Sequence, residues 1–219
     1  MNYALSFRET RENPIGLNGF SFVEFATPNP AALTSVLERF GFQYKAKDNS
    51  QTISLYGQGD INIIINNKPE GYAARFNKKP GAFLSAMGWR VKDAEFAWRE
   101  TVRLGAIPFE DKKAGLDIPA IYGIGGSLIY FVDEAGEDKL YRQMLVANSD
   151  YLETNTANLQ FIDHVDHNVS AGRRKYWVAF YENLFNFKQI NYFDVEAKVT
   201  AFSTEAVASP CGKMAIAIL

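Results

Sequence analysis

The sequence holds two histidines, His164 and His167, and both fall in one short run, Phe161-Ile162-Asp163-His164-Val165-Asp166-His167-Asn168-Val169. A neutral imidazole is a common ligand for transition metals, so a pair three residues apart among carboxylates invites a metal reading. The backbone decides whether the pair can act together. On a helix, residues three apart share a face. On a strand, side chains alternate and the two rings point to opposite faces. The run reads as a strand, so at most one of the two is a ligand. Spacing alone leaves open whether that one binds metal, and gives more weight to a polar residue satisfied at a sheet edge.

Other chemistry is sparser. Asp163, Asp166 and Glu24 are candidate acid–base groups, with surface or supporting roles as the plainer alternative. No histidine precedes His164, so a mixed histidine–carboxylate metal site cannot be built from the residues before it. Gly123-Ile124-Gly125-Gly126 joins two strands and opens no helix, unlike a phosphate-binding loop. Cys211 is the single cysteine, which rules out an internal disulfide and fits a reducing compartment.

The elements that must position these residues come as a repeat. Asn29-Pro30 opens a helix with Leu33, Val36, Leu37 and Phe40 at helical spacing, and Gly41 closes it, the expected cap asymmetry. Moving 64 residues along turns Asn29 into Asp93, Arg39 into Arg103 and Gly41 into Gly105. A second helix follows Asp93, with Ala94, Ala97, Trp98, Thr101 and Val102 on one face. Each helix is preceded by one strand-like run, 19–26 or 83–91. Each is followed by three: 42–47, 52–56 and 61–66, then 107–110, 118–124 and 127–132, with Gly125-Gly126 as a hairpin turn. A third copy starts with 161–169, continues with a helix over 174–185, and ends with strands 188–195, 199–204 and 213–218. The expected fold is therefore α+β, built from βαβββ modules: one complete pair in residues 13–133, a polar linker with one short helix in 134–160, and an unpaired third module in 161–219.

Composition bounds the rest. Of 219 residues, 47% are hydrophobic and 22% charged, and the net charge is -2, so a globular chain without a basic nucleic-acid face is expected. The first fourteen residues mix Arg8, Glu9, Arg11 and Glu12 among the apolar ones and do not read as a signal peptide. Apolar runs such as 61–65 are too short to span a bilayer. A cytoplasmic protein with no membrane or nucleic-acid partner is expected.

Three stretches resemble bacterial 4-hydroxyphenylpyruvate dioxygenases and their relative legiolysin, first described as a hemolysin, within the vicinal-oxygen-chelate superfamily. They are Met87-Gly88-Trp89-Arg90-Val91-Lys92-Asp93-Ala94, the run from Ile118-Pro119-Ala120-Ile121-Tyr122 through Ile129-Tyr130-Phe131-Val132-Asp133, and Ile162-Asp163-His164 through Asn168-Val169. Phe180-Tyr181 to Asn186-Phe187 and Ala206-Val207 to Gly212 match as well.

The resemblance implies Fe(II) held by two histidines and a glutamate, with open positions for a keto acid and O₂. It implies oxidative decarboxylation of 4-hydroxyphenylpyruvate, ring hydroxylation and side-chain migration to homogentisate, in tyrosine catabolism. It places the first metal ligand on His164, makes His167 a non-ligand, and puts a pocket hydroxyl on Thr204. The other two ligands belong to a fourth module that these residues do not include. No catalytic set is complete within the chain, the iron site is incomplete, and an inactive 219-residue chain is expected. Fragment of the enzyme, non-catalytic binder of a small aromatic ligand or protein partner, and homo-oligomer completing a cup between chains are the three readings, the first preferred.

Overall fold

The computed structural model describes residues 12–78, 80–111, 114–143, 146–151, 157–196 and 201–219; the side chains of 142–143, 191–196 and 201–203 are not among those described. The first fourteen residues of the leader reading and part of the expected strand at 199–204 therefore fall partly outside the described residues. In chain order the elements are β1 (Phe20–Ala26), α1 (Pro30–Arg39), β2 (Gln43–Lys47), β3 (Ile53–Gln58) and β4 (Ile61–Asn66). Then come β5 (Phe83–Arg90), α2 (Ala94–Arg103), β6 (Pro108–Phe109), β7 (Ala120–Tyr122) and β8 (Leu128–Val132). They are followed by α3 (Glu134–Asp138), β9 (Val146–Ala147), β10 (His164–His167), α4 (Arg174–Phe185), β11 (Lys188–Glu196), β12 (Ala201–Ala208) and β13 (Ala215–Ile218).

The repeat is written in the pairing. In each module the first strand lies parallel to the last: β1 with β4, β5 with β8, β10 with β13. The middle strands add on antiparallel, so a nine-stranded sheet runs β6-β7-β8-β5-β1-β4-β3-β2-β9 and a four-stranded sheet runs β10-β13-β12-β11. The two N-terminal modules fuse because β1 and β5 pair antiparallel. In the second sheet β10, the counterpart of β1 and β5, is an edge.

Helix ends obey local chemistry. Asn29 accepts from the Ala32 amide at 3.4 Å and Asp93 from the Phe96 amide at 2.8 Å, capping α1 and α2. Gly41 follows α1 at φ 83° and Gly105 follows α2 at φ 106°. After α4 the same left-handed step is taken by Asn186 at φ 56°, the non-glycine residue that tolerates it best.

Some strands are shorter than the sequence pattern suggests. The expected strand over 161–169 is reduced to β10, because its neighbour among the described residues, β13, is itself four residues long. The segment 134–160 contributes α3 and also β9, which pairs antiparallel with β2.

Both faces of the large sheet are covered. Ile63, Ile65, Met87, Trp89, Ile129 and Phe131 face the helices, while Ile64, Ala86, Leu128, Tyr130 and Val132 alternate with them toward a second apolar cluster that includes Tyr72, Leu116 and Leu140. This is why β4 and β8 are buried along their whole length. The helix-side cluster continues from Trp89 and Phe131 through Tyr181, Leu184 and Phe185 of α4 to Val207, Ile216 and Ile218 of the second sheet. Trp89 meets Phe185 edge-on at 4.9 Å and stacks on Phe187 at 5.7 Å. Among the described residues, no helix is long and apolar enough to cross a membrane.

The Met87-Gly88-Trp89 step has a steric cause. Gly88 lies opposite Phe22 in the β1–β5 ladder, and a Cβ there would sit 2.2 Å from the Phe22 ring. Gly88→Ala is therefore expected to destabilise the chain by about 1–3 kcal/mol through overpacking, read as a lower urea midpoint. Adding Phe22→Leu should recover part of the loss, and an unchanged midpoint for Gly88→Ala alone would refute the contact.

Candidate functional site

β10 sorts its side chains as the strand period demands: His164 and Asp166 are exposed, while Val165 is half-buried and His167 buried. The cross-strand register extends each face. His164 lies beside Ala215 and Ala208, and Asp166 beside Ala217 and Ala206. Thr204, two residues from Ala206 on β12, belongs to the same face and is half-buried. His164 and Thr204 thus share a face with four alanines, of which Ala208 and Ala215 are buried and Ala206 and Ala217 half-buried. The opposite face carries Val165, Ile216, Val207 and Ile218 into the core beneath α4.

The His164 ring is held from one side. Its Nδ1 lies 2.7 Å from Asp163 Oδ2, and its Nε2 lies 3.6 Å from Asp166 Oδ1. When the neutral ring donates from Nδ1 to Asp163, the lone pair of Nε2 is left pointing away from that contact. The side chain is 51% exposed. Among the described residues no three histidine, cysteine or acidic side chains converge as a metal cluster would require. His164 with Asp166 is a two-donor pair.

His167 is the opposite case. It is 7% exposed, and its Nε2 is buried with no hydrogen-bond partner among the described residues. Burial pushes its pKa down to about 4, against a small upward pull from Asp166. A neutral ring packed into the core is a structural histidine.

The carboxylate of Glu24 sits on the second face of the large sheet. Ser85 Oγ donates to its Oε1 at 2.6 Å, and burial raises its pKa above the ordinary carboxylate value against the hydrogen bonds from Ser85 and Asn66. Nearby Tyr72 has a buried hydroxyl without a partner among the described residues, and burial pushes its pKa up to about 12. These groups are far in the chain and in the fold from β10, on the other sheet.

Sequence spacing separated His164 from His167 but did not reveal the alanine face. The signal was present, as Ala206-x-Ala208 and Ala215-x-Ala217 alternate with larger residues at period two. Nor did it reveal that Asp166 shares the face of His164.

Modules of this order, with parallel first and last strands, define a protein of the vicinal-oxygen-chelate fold. A solved structure titled xylose isomerase-like TIM barrel/4-hydroxyphenylpyruvate dioxygenase fusion protein superposes on 94% of this chain and 33% of its own, with a TM-score of 0.79 at 29% identity. The family profile described as hydroxyphenylpyruvate dioxygenase, HPPD, N-terminal matches residues 11–151, and the chain belongs to the hydroxyphenylpyruvate dioxygenase family. It is 40% identical over 210 residues to protein MelA of Shewanella colwelliana, covering 95% of this chain and 61% of that one. It is 39% identical over 209 residues to the 4-hydroxyphenylpyruvate dioxygenase of Pseudomonas sp. strain P.J. 874, covering 94% and 58%. The chain thus spans about three-fifths of the length of these relatives.

The buried imidazole makes stability depend on acid. Between pH 6.5 and about 4 the unfolded chain binds a proton at His167 that the folded chain refuses, so stability falls as pH drops through that window. The loss is on the order of 3 kcal/mol. His167→Leu should remove this part of the slope in urea titrations at a series of pH values; an unchanged slope would contradict a neutral buried ring.

Proposed function

We propose that this chain serves 4-hydroxyphenylpyruvate dioxygenase chemistry, the Fe(II)-dependent conversion of 4-hydroxyphenylpyruvate and O₂ to homogentisate in tyrosine catabolism, in the cytoplasm. The observation that supports it is the His164 face: an imidazole whose Nδ1 is held by Asp163, presented above alanines with Thr204 on the same surface.

The described residues do not fit a whole iron centre. His164 Nε2 offers one donor, with Asp166 Oδ1 near it, and no third group converges. One ligand of this kind neither binds iron tightly nor fixes an open facial geometry. In this reading iron supplies the redox chemistry. The chain's own residues have narrower tasks. Asp163 holds the His164 ring and its Nδ1 proton. The alanines of β12 and β13 leave space for the substrate. The Thr204 hydroxyl hydrogen-bonds the substrate on the same face. The free edge of β10 is where a further strand would complete the surface, from another module or from another copy in a homo-oligomer.

The experiment is direct. The 219-residue chain is loaded anaerobically with Fe(II), 4-hydroxyphenylpyruvate is added, O₂ is admitted, and homogentisate is followed by chromatography. The chain alone should give no product, and the chain extended by a fourth module should give it. His164→Ala in the extended form should lower turnover by at least about a hundredfold, as loss of a metal ligand or its support does. Turnover by the 219 residues alone would sink the claim that further ligands are needed. Inactivity of the extended form would favour the second reading, a non-catalytic binder of a small aromatic ligand or a protein partner.

A further inference from the structure

The second sheet meets the large one at a cleft of about 670 Å³. This volume lies in the range of small-molecule sites, roughly 300–1,000 Å³. Its walls come from the start of β1, the end of β5, the strap leading into β10 and the turn before β13. Phe20, Phe161 and Ile162 give it apolar surface, and Arg90, Lys213, Asp60 and Asp163 give it charge.

The charges are not equivalent. Arg90 is already committed: its two terminal nitrogens donate to Asp60 at 2.7 and 2.8 Å, and its Nε donates to Glu137 at 2.9 Å. That network pins one wall and sets two carboxylates against the one guanidinium. Lys213 makes no ion pair among the described residues; its ammonium donates to the Asn18 side-chain oxygen at 2.6 Å and keeps further N–H groups. Asp163 uses Oδ2 on His164 and remains 61% exposed. One uncommitted cation and one accessible carboxylate thus line the same cleft. In the same lining Phe161 is 65% exposed, a ring whose apolar surface stays in water unless something covers it.

We propose that this cleft binds a zwitterionic aromatic amino acid, with Lys213 taking the carboxylate, Asp163 the ammonium group, and Phe161 with Ile162 the ring. A simple anion would meet the Asp163 and Asp60 carboxylates, and a simple cation would meet Lys213. An aliphatic amino acid would leave Phe161 uncovered. Only a ligand carrying both charges and a flat apolar body answers the whole lining. The inference rests on the lining of the cleft and shares Asp163 with the proposed function, where the same carboxylate holds the His164 ring.

Isothermal titration calorimetry of the 219-residue chain tests it, with L-phenylalanine as the probe and phenethylamine, 3-phenylpropanoate and L-alanine as comparators. L-phenylalanine should bind saturably at one site, and each comparator should bind at least about tenfold more weakly, the loss of one charged or one apolar contact. Lys213→Met should weaken L-phenylalanine to the level of phenethylamine while leaving phenethylamine itself unchanged. Phe161→Ala should weaken all three aromatic ligands. If Lys213→Met fails to fold, the wild-type comparison decides by itself. Absence of saturable L-phenylalanine binding, equal affinity for the four ligands, or an affinity untouched in both folded variants would overturn the proposal.

Discussion

The third module is held in place by an aromatic seam, and everything said about His164 depends on it. Trp89, one residue before the end of β5, has its ring against Phe185 and Phe187, and Tyr181 packs beside them. Four large side chains so placed bury far more apolar surface than any polar contact between the two sheets, and edge-on and offset ring geometries add to it. The seam makes α4 common property: one side lies on the large sheet, the other under β11–β13. The orientation of the second sheet follows. Its core face must meet α4, so His167 goes in and His164 goes out.

The second constraint is the pairing rule of the module. Parallel closure of first strand on last uses one edge of the first strand and leaves the other for a neighbour. In the N-terminal pair that neighbour is the other module, through β1 and β5. In the second sheet the same edge of β10 is unpaired among the described residues. The candidate site therefore sits at the margin of a sheet, beside the place where a complementary strand would add.

Much of this was legible in the sequence, for identifiable reasons. Two of the module helices announced themselves by caps, Asn29 and Asp93 with the glycines after α1 and α2; the third was placed over 174–185 without one, and its left-handed end at Asn186 came from the structure. The opposite fates of His164 and His167 followed from strand alternation alone. The resemblance of the Met87–Ala94 and Ile118–Asp133 runs pointed to the family to which the chain belongs. What was not legible depends on contacts distant in sequence. The length of β10 is set by β13, nearly fifty residues on in the chain, and β9 is added to the large sheet by pairing with β2, a hundred residues earlier. The cleft between the sheets joins residues from five separate segments, and no local pattern marks such a meeting. Gly88 read as part of a motif; only the ladder shows that Phe22 demands it.

His164 stands on a strand with one edge unpaired among the described residues, its imidazole half-exposed. Backbone contacts fix which amides test it. The Asp163 and His167 carbonyls accept from Ala215 and Leu219, and the Val169 amide donates to Leu219, so by alternation the amides of His164 and Asp166 point away from β13. Residue-resolved hydrogen exchange of the 219-residue chain measures this directly. Fast exchange at His164 and Asp166, with protection at Val165 and His167, is the expected result. Protection at His164 and Asp166 equal to that along β1 would show the edge to be covered, and the account of an open, incomplete site would be wrong.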